Sequence, residues 1–197
     1  MDTLKISVIT GSTRPNRFSE KPAQWIFEEL KKREGVEAQL LDLRDQHLPM
    51  FDEPMSPSMA KNGDYGNEVI NAWAKKIAAA DAYVLVTPEY NHSTSAVLKN
   101  ALDLVYAEWN NKAVGFVAYG SVGGARAVEH LRQIAVELQM ASIRNSVHIP
   151  GHKFFPILMG QAEWKPLEDE SLMGAADGMI KQLLWWAKAL KTARATA

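Results

Sequence analysis

Apolar residues along this chain follow two different periods, and their alternation predicts strands separated by helices. Short apolar runs that end at a turn residue are typical of buried strands. Such runs occur at residues 4–10, 36–43, 82–87 and 113–119, and a weaker candidate at 140–149 is interrupted by polar residues. The pattern therefore predicts five strands.

Between these runs, apolar residues recur at helical spacing. In the first such segment the repeating positions are Ala23, Ile26 and Leu30, and Gly35 marks the end of the predicted helix. The predicted helices cover residues 20–33, 67–80, 95–106, 124–138 and about 171–190.

Strands that alternate with helices form βαβ units, because parallel strands need a crossover connection between them. The pattern therefore predicts an α/β fold, a three-layer sandwich in which a five-stranded parallel sheet carries helices on both faces. A chain of 197 residues is close to the length of one ordinary domain. We expect residues 1–197 to form a single domain.

Two segments are longer than ordinary connections. They are residues 44–66, which contain three prolines, and residues 150–170, which contain an apolar cluster at 154–159. Loops of this length usually carry function. Packing against the edges of the sheet is an equally good interpretation of both.

Composition narrows the chemistry. The chain has no cysteine, which excludes disulfides, thiolate metal sites and dithiol redox chemistry, so any redox role must belong to a bound cofactor. The formal net charge is -1, so the chain lacks the excess of basic residues that nucleic-acid binding requires. No apolar run reaches about 18 residues and no signal-peptide pattern is present, so we expect a cytoplasmic protein with no membrane partner.

In an open parallel sheet, ligands bind at the carboxyl ends of the strands, so the turns that follow the strands carry the candidate chemistry. The turn after the first strand, residues 11–19, offers the hydroxyls of Ser12 and Ser19, the guanidinium of Arg14, a second arginine at Arg17 and the amides of a helix start. These groups suit a phosphate. The turn lacks the Walker and G-x-G-x-x-G patterns. A polar cap on an ordinary helix is the competing interpretation.

The turns after the third and fourth strands suit a flat ligand. Residues 87–95 combine a proline, a tyrosine and an asparagine amide, and residues 120–124 contain three glycines that let the backbone approach a ligand closely. Each turn alone is ordinary. Together with the first turn they predict a site for a phosphate attached to a planar ring.

The G-S-x-R sequence at Gly11–Arg14, the Pro88-Glu89-Tyr90-Asn91 turn and the later glycine-rich turn, in that order, resemble the NADPH-dependent FMN reductase family of flavodoxin-like flavoproteins. The resemblance extends from residue 4 to about 138. It implies the strand order 2-1-3-4-5 and FMN bound without a covalent bond. It also implies the cofactor-binding residues. Ser12, Arg14 and Ser19 would contact the FMN phosphate, with Arg17 as a second basic residue. The isoalloxazine ring would be lined by Pro88, Glu89, Tyr90 and Asn91, with Ser121 and Gly123 on the other side of the site.

The family includes quinone, azo-dye and chromate reductases, so the resemblance implies an NAD(P)H-dependent oxidoreductase. NADPH or NADH would deliver a hydride to the flavin N5, and a small acceptor such as a quinone, azo dye, flavin or metal oxyanion would then take the electrons in a ping-pong sequence. Such chemistry needs no catalytic acid, base or metal in the protein. His148 and His152 are separated by Pro150 and Gly151, which does not favour a paired metal site.

Two other functions are kept open. A flavodoxin-like electron carrier would share the fold and cofactor, although such carriers are usually strongly acidic. A serine hydrolase could use Ser121 with His148 or His152 as its base, but the surrounding Gly120 and Gly123 do not match G-x-S-x-G.

The aromatic residues also predict assembly. Trp109, Trp164, Trp185 and the cluster at 154–159 supply more large apolar surface than one sheet face needs. We expect a homodimer or homotetramer whose interface completes the flavin site.

Overall fold

The computed structural model describes residues 3–61 and 63–196, and in these residues it has five strands and six helices. All neighbouring strands are parallel, in the order β2-β1-β3-β4-β5. This confirms the predicted fold class and strand order. The strands are β1 (Leu4–Thr10), β2 (Val36–Asp42), β3 (Ala82–Pro88), β4 (Ala113–Gly120) and β5 (Ala141–Pro150).

The helices cover the two faces of the sheet. They are α1 (Glu20–Lys31), α2 (Glu68–Ala78), α3 (Ala96–Asp103), α4 (Ala125–Glu137), α5 (Gly151–Leu158) and α6 (Glu170–Arg194). One core contains apolar side chains of α1, α5 and α6, and the other contains those of α2, α3 and α4. The predicted three-layer sandwich is confirmed.

The extent to which each strand is buried explains why some strands were clearly predicted from the sequence and β5 was only a weak candidate. Every residue of β3 and β4 is buried, so both strands are continuous apolar runs. β5 lies at the edge of the sheet and buries only some of its positions, among them Ile143, Val147 and Ile149. Its polar interruptions are therefore the exposed positions of an edge strand.

The strand order reverses at β1, which lies between β2 and β3. Thr10, the last residue of β1, pairs with Val86 near the end of β3. The turns that follow these two strands consequently begin side by side at the carboxyl edge of the sheet, where ligands of doubly wound proteins bind.

The expectation that residues 150–170 form one long loop is wrong, because α5 occupies Gly151–Leu158. The helix ends in a Schellman motif. Gly160 has φ +72°, its amide donates to the Ile157 carbonyl at 3.1 Å, and the Gln161 amide donates to the Pro156 carbonyl at 2.8 Å. Pro156 lies inside the helix, which is the position where a proline normally argues against one.

Two other helix ends differ from the prediction. The helix predicted at 95–106 ends at Asp103, and a short 3-10 turn follows at Ala107–Trp109. The last helix continues to Arg194 rather than to about residue 190. The described part of segment 44–66, which leaves out residue 62, has a 3-10 turn at Pro57–Met59 as its one helical element. The Asn100 side chain of α3 fixes the segment, since it donates to the Pro49 carbonyl and accepts from the Phe51 amide.

None of the helices within the described ranges has the length and apolar character needed to cross a bilayer.

Candidate functional site

A cavity of about 200 Å³ opens at the carboxyl edge of the sheet. Three strand-to-helix turns and α5 form its walls. The lining residues are Arg14, Pro15, Asn16, Arg17 and Phe18 after β1, Pro88, Glu89 and Tyr90 at the end of β3 and in the turn that follows, Tyr119, Gly120 and Ser121 at the end of β4 and in the turn that follows, and Phe154, Phe155 and Leu158 on α5.

The turn after β1 is held tightly against its neighbour. The Gly11 amide donates to the Val86 carbonyl at 2.7 Å, and a Cβ atom on Gly11 would lie only 2.8 Å from that oxygen. The Ser95 hydroxyl donates to the Gly11 carbonyl and accepts from the Leu98 amide at the start of α3. The first and second turns therefore form one rigid unit.

Two buried hydroxyls in the first turn have no hydrogen-bond partner among residues 3–61 and 63–196. They belong to Ser12, which is 1% exposed, and Ser19, which is fully buried. A buried hydroxyl without a protein partner is costly, so such a group is normally satisfied by ordered water or by a bound ligand or ion. Ser19 also immediately precedes α1, whose N-terminus attracts anions. These two hydroxyls fit the phosphate of a mononucleotide.

Arg14 supplies the exposed positive charge of this turn. Its guanidinium lies 5.6 Å from the centre of the Tyr90 ring, and Nη1 donates to the Tyr90 hydroxyl at 3.3 Å. The hydrogen bond to Tyr90 is the main reason that the pKa of Arg14 is raised. Arg14 and Tyr90 are thus brought together across the cavity from different turns.

Arg17 has a different environment, although it also contributes to the lining. Its side chain is 1% exposed, and the guanidinium bonds the carboxylates of Asp42 and Glu20 and the Ser12 carbonyl. Burial alone would lower the pKa of Arg17, but the two carboxylates outweigh it and the pKa is raised. This geometry supports a role for Arg17 in fixing the shape of the turn rather than in binding a ligand.

The second turn is a tight reversal. Tyr90 and Ser93 exchange backbone hydrogen bonds of 2.9 and 3.0 Å, and the two residues between them, Asn91 and His92, have φ of +49° and +68°. Positive φ at both central positions is the type I′ geometry, which asparagine tolerates well. The turn presents Pro88, Glu89 and Tyr90 to the cavity, whereas Asn91 is exposed beside it.

Glu89 uses its carboxylate to join two turns. The side chain is 6% exposed, and its oxygens accept from the Arg126 amide at 3.0 Å and from Arg126 Nη1 at 2.8 Å. Arg126 lies in the first turn of α4, so Glu89 caps that helix from outside. The carboxylate of Glu89 is thus engaged by Arg126 within the protein.

The third turn depends on two glycines with left-handed conformations. Gly123 and Gly124 have φ of +77° and +74°, and a Cβ atom on Gly124 would lie 2.5 Å from the Ala118 Cβ. Ser121 is exposed and lines the cavity, whereas Gly123 is buried behind it. The predicted site residues thus fall into two groups. One group lines the cavity and consists of Arg14, Arg17, Pro88, Glu89, Tyr90 and Ser121. The other group does not line it and consists of Ser12, Ser19, Asn91 and Gly123.

The structure gives no support to a serine hydrolase. The ring nitrogens of His148 contact the Gly123 carbonyl at 3.0 Å and the Ser146 hydroxyl at 2.7 Å. Within the described residues, neither His148 nor His152 forms a hydrogen bond with Ser121, as a nucleophile and its base would. The same part of the chain holds no group of three or more His, Asp or Glu side chains arranged to bind a metal.

An aromatic wall behind the cavity was not predicted. The rings of Phe18, Tyr119 and Phe154 pack against one another with centroid distances of 5.0 to 5.5 Å. Burial raises the pKa of Tyr119 to about 12, against a smaller lowering by Ser19, whose hydroxyl lies near that of Tyr119 without the geometry of a hydrogen bond. The three residues come from separate segments, and the apolar cluster at 154–159 was the one signal in the sequence that pointed to them.

The doubly wound sheet, with a turn of hydroxyls and arginines where the strand order reverses and two further turns beside it, is the arrangement of the flavodoxin-like fold, in which mononucleotides bind at this edge. Comparison with known proteins specifies the family. A profile described as NADPH-dependent FMN reductase matches residues 4–153. The chain belongs to the NADPH-dependent FMN reductase family.

Named relatives and a solved structure agree with this assignment. The chain is 43% identical over 138 residues to an NAD(P)H-dependent FMN reductase of Schizosaccharomyces pombe, covering 70% of this chain and 68% of the relative. It is 28% identical over 186 residues to a 2-hydroxy-1,4-benzoquinone reductase of Burkholderia sp, covering 91% and 87%. The flavoenzyme NAD(P)H:(acceptor) oxidoreductase of Paracoccus denitrificans has a similar fold, with a TM-score of 0.66, 19% identity and coverage of 92% and 97%.

Proposed function

We propose that this protein is an FMN-dependent NAD(P)H oxidoreductase that reduces a small acceptor of the quinone class. The observation that carries the proposal is the pair of buried, unpartnered hydroxyls of Ser12 and Ser19 at the start of α1. In a member of this family they are suited to the phosphate of FMN, and the relatives named as FMN and quinone reductases support the same activity.

Each turn would hold a different part of the cofactor. Ser12 and Ser19 would donate to the phosphate, and the nearby guanidinium of Arg14 would neutralise its charge. Residues 88–91 would line one side of the isoalloxazine ring, and Ser121 with Gly123 would lie on the other. Arg17 and Glu89 would hold these turns in place through Asp42 and Arg126.

FMN held by these residues would supply the redox chemistry, namely hydride acceptance from NAD(P)H and electron transfer to the acceptor. The side chains of the cavity position the reactants and limit water. Tyr119, with a pKa of about 12, stays protonated at neutral pH, and the carboxylate of Glu89 stays paired with Arg126. Neither group is placed to exchange protons, so protons would come from solvent.

An absorbance titration tests the proposal. Purified protein is mixed with FMN, freed of excess, reduced anaerobically with NADPH and then exposed to 1,4-naphthoquinone. We expect bands near roughly 370 and 450 nm that bleach with NADPH and return with the quinone. A protein that does not retain FMN contradicts the proposal.

The same experiment separates an enzyme from an electron carrier. A carrier would retain FMN but show almost no steady NADPH oxidation with the quinone. The formal net charge of -1 is already unlike the strongly acidic surface with which carriers dock on their partners.

We also propose a homodimer or homotetramer in the cytoplasm. Trp185 and Trp186 on α6 are 67% and 38% exposed, and Met55 and Met59 form a second exposed apolar group after β2. Trp109, which was expected to contribute to this surface, is instead completely buried in the core.

A cysteine-free chain is compatible with a reducing compartment, and cell fractionation would test the location.

A further inference from the structure

α5 brings exposed apolar side chains to the cavity. Phe155 is 39% exposed and Leu158 is 50% exposed, and both line the cavity wall. Met159, the next residue, is 65% exposed but does not line it. Apolar side chains that face a cavity rather than the core are the usual contacts of a flat organic ligand.

The Phe155 ring is supported from behind. Its centroid lies 4.2 Å from that of Phe154, at an interplanar angle of 32°, and Phe154 is itself buried against Phe18 and Tyr119. The ring also lies directly over Gly151, where a Cβ atom would come within 2.9 Å of the Phe155 Cε2 atom. Phe155 therefore has a defined position even though more than a third of it is exposed.

The residues that α5 contributes to the cavity lining carry no charge. Two of the charged side chains that line the cavity are paired within the protein, Arg17 with Asp42 and Glu89 with Arg126. Arg14 comes from the turn after β1 and lies against Tyr90. The wall formed by α5 is uncharged, which favours a neutral planar ring over a metal oxyanion.

The position of this wall in the chain is consistent with a role in selection. The family profile ends at residue 153, so Phe155 and Leu158 lie just outside the segment that it matches. The rim of the cofactor site is a suitable place for a residue that discriminates among acceptors.

We propose that Phe155, assisted by Leu158, forms the surface on which a neutral quinone-class acceptor binds, and that this surface selects flat aromatic acceptors over small inorganic ones. The proposal rests on the flavin-dependent function proposed above. The surface formed by Phe155 and Leu158, here called the acceptor wall, is distinct from the residues that would hold the cofactor.

The test compares Phe155→Ala, Phe155→Leu and Gly151→Ala with Met159→Ala as the matched control. Gly151→Ala keeps the phenylalanine but forces its ring to move, because of the 2.9 Å approach. For each protein, 1,4-naphthoquinone is titrated into the oxidised, FMN-loaded form without NADPH, and binding is followed by tryptophan fluorescence. The KM for the quinone, the rate with ferricyanide and the Kd for FMN are measured in parallel.

We expect Phe155→Ala to raise both the Kd and the KM for naphthoquinone about tenfold, since an aromatic contact and its buried area are lost. Phe155→Leu and Gly151→Ala should show the same change to a smaller degree. The Kd for FMN and the rate with ferricyanide should stay within about twofold of the starting protein, as should every value for Met159→Ala.

Two results would overturn the proposal while leaving the flavin function intact. One is unchanged quinone binding in Phe155→Ala and Gly151→Ala. The other is a loss of FMN affinity equal to the loss of quinone affinity, which would place Phe155 against the cofactor. Failure of the unaltered protein to bind FMN would instead remove both proposals.

Discussion

At the scale of single residues, three buried serines near the cavity have contrasting environments. The Ser95 hydroxyl bonds the Gly11 carbonyl and caps α3, whereas within the described residues those of Ser12 and Ser19 have no partner. An unpaired buried hydroxyl does not stabilise the ligand-free protein. The same chemical group therefore serves the fold at one position and is left unpaired at the other two.

Replacing these serines by alanine should separate stability from binding. Ser12→Ala and Ser19→Ala should leave the free energy of unfolding of the FMN-free protein unchanged or raise it by up to about 1 kcal/mol, because each removes an unsatisfied group. Both should weaken FMN binding about tenfold, through loss of a hydrogen bond to a charged phosphate. Urea unfolding and FMN fluorescence titration measure the two effects.

Ser95→Ala is the matched control for this pair. Its hydroxyl is paired, so its removal should lower the free energy of unfolding by about 1 kcal/mol. If Ser12→Ala destabilised the FMN-free protein as much as Ser95→Ala, the hydroxyl of Ser12 would have a structural role, and the argument for a phosphate would weaken.

Replacement of Arg17 should affect mainly stability, whereas replacement of Arg14 should affect mainly FMN binding. Arg17→Ala leaves Asp42 without its buried partner and should lower the free energy of unfolding by about 2–4 kcal/mol. Arg14→Ala removes an exposed side chain and should leave stability within about 0.5 kcal/mol while weakening FMN binding. Thermal unfolding and FMN titration of both variants decide the matter, and equal destabilisation would contradict the assignment.

The sequence assigned Arg14 to a phosphate and Arg17 as a second basic residue, but it did not indicate that the Arg17 side chain is held inside the protein. This arrangement depends on Asp42, which is 25 positions away along the chain and reaches Arg17 because β2 lies beside β1. The spacing of residues along the chain does not indicate a contact between side chains that two neighbouring strands bring together. Glu89 illustrates the same limit, since its carboxylate is held by Arg126 on another helix.

At the scale of elements, α5 is fastened to the start of α6 by one ion pair. Lys153 of α5 bonds the Asp169 carboxylate and also donates to the Ser171 hydroxyl at 2.8 Å. Asp169 is at the same time the N-cap of α6, accepting from the amides of Ser171 and Leu172 at 3.1 Å. The side chain that starts the longest helix thus also holds the proposed acceptor wall.

This junction should make stability depend on acid. Its hydrogen bond to Lys153 is the largest effect that lowers the Asp169 pKa, from 3.8 to about 2. Because the folded pKa lies below the unfolded one, the contribution to stability is complete above pH 3.8 and disappears as pH falls toward 2. Urea unfolding midpoints between pH 5 and pH 2 should fall more steeply for the unaltered protein than for Asp169→Asn.

Asparagine is a good N-cap, so Asp169→Asn keeps the cap and removes the charge, whereas Asp169→Ala removes both. At pH 7 the alanine variant should lose about 1 kcal/mol of cap stabilisation that the asparagine variant largely retains. Identical acid profiles in Asp169→Asn and the unaltered protein would mean that the ion pair with Lys153 does not contribute.

Most elements could be predicted because their apolar periodicity reflects burial. β3 and β4 are buried throughout, and the four helices α1 to α4 each present one apolar face to the sheet. α5 was not predicted, since it has an internal Pro156 and an aromatic run whose packing depends on Phe18 and Tyr119 from distant segments. Its C-terminal Gly160 was the local signal that could have identified it.

At the scale of the whole molecule, two groups of exposed apolar residues lie on different elements of the fold. One contains Trp185 and Trp186 on α6, and the other contains Met55 and Met59 in the segment after β2. A closed homotetramer built as a pair of dimers needs two different self-complementary interfaces, whereas a homodimer needs one. Because the two groups lie on different elements, the two assemblies are distinguishable by substitution.

The double variant Trp185→Ser/Trp186→Ser should reduce the oligomer by half, because a large exposed aromatic pair is removed from one interface. Light scattering at micromolar concentration measures the mass, with Val136→Ser, an exposed apolar residue on α4, as the control. A monomeric mass for the unaltered protein would contradict the assembly proposal altogether.

The two ends of the described chain lie together at the amino edge of the sheet. Lys191 of α6 bonds the Thr3 carbonyl at 2.7 Å, and Arg194 reaches Asp81 and the Asn111 carbonyl, all just ahead of strand starts. The cavity is at the opposite edge. An anchor attached at either end would therefore point the redox site away from its support, so immobilisation on a bead or electrode should leave the site accessible to dissolved NADPH and acceptor.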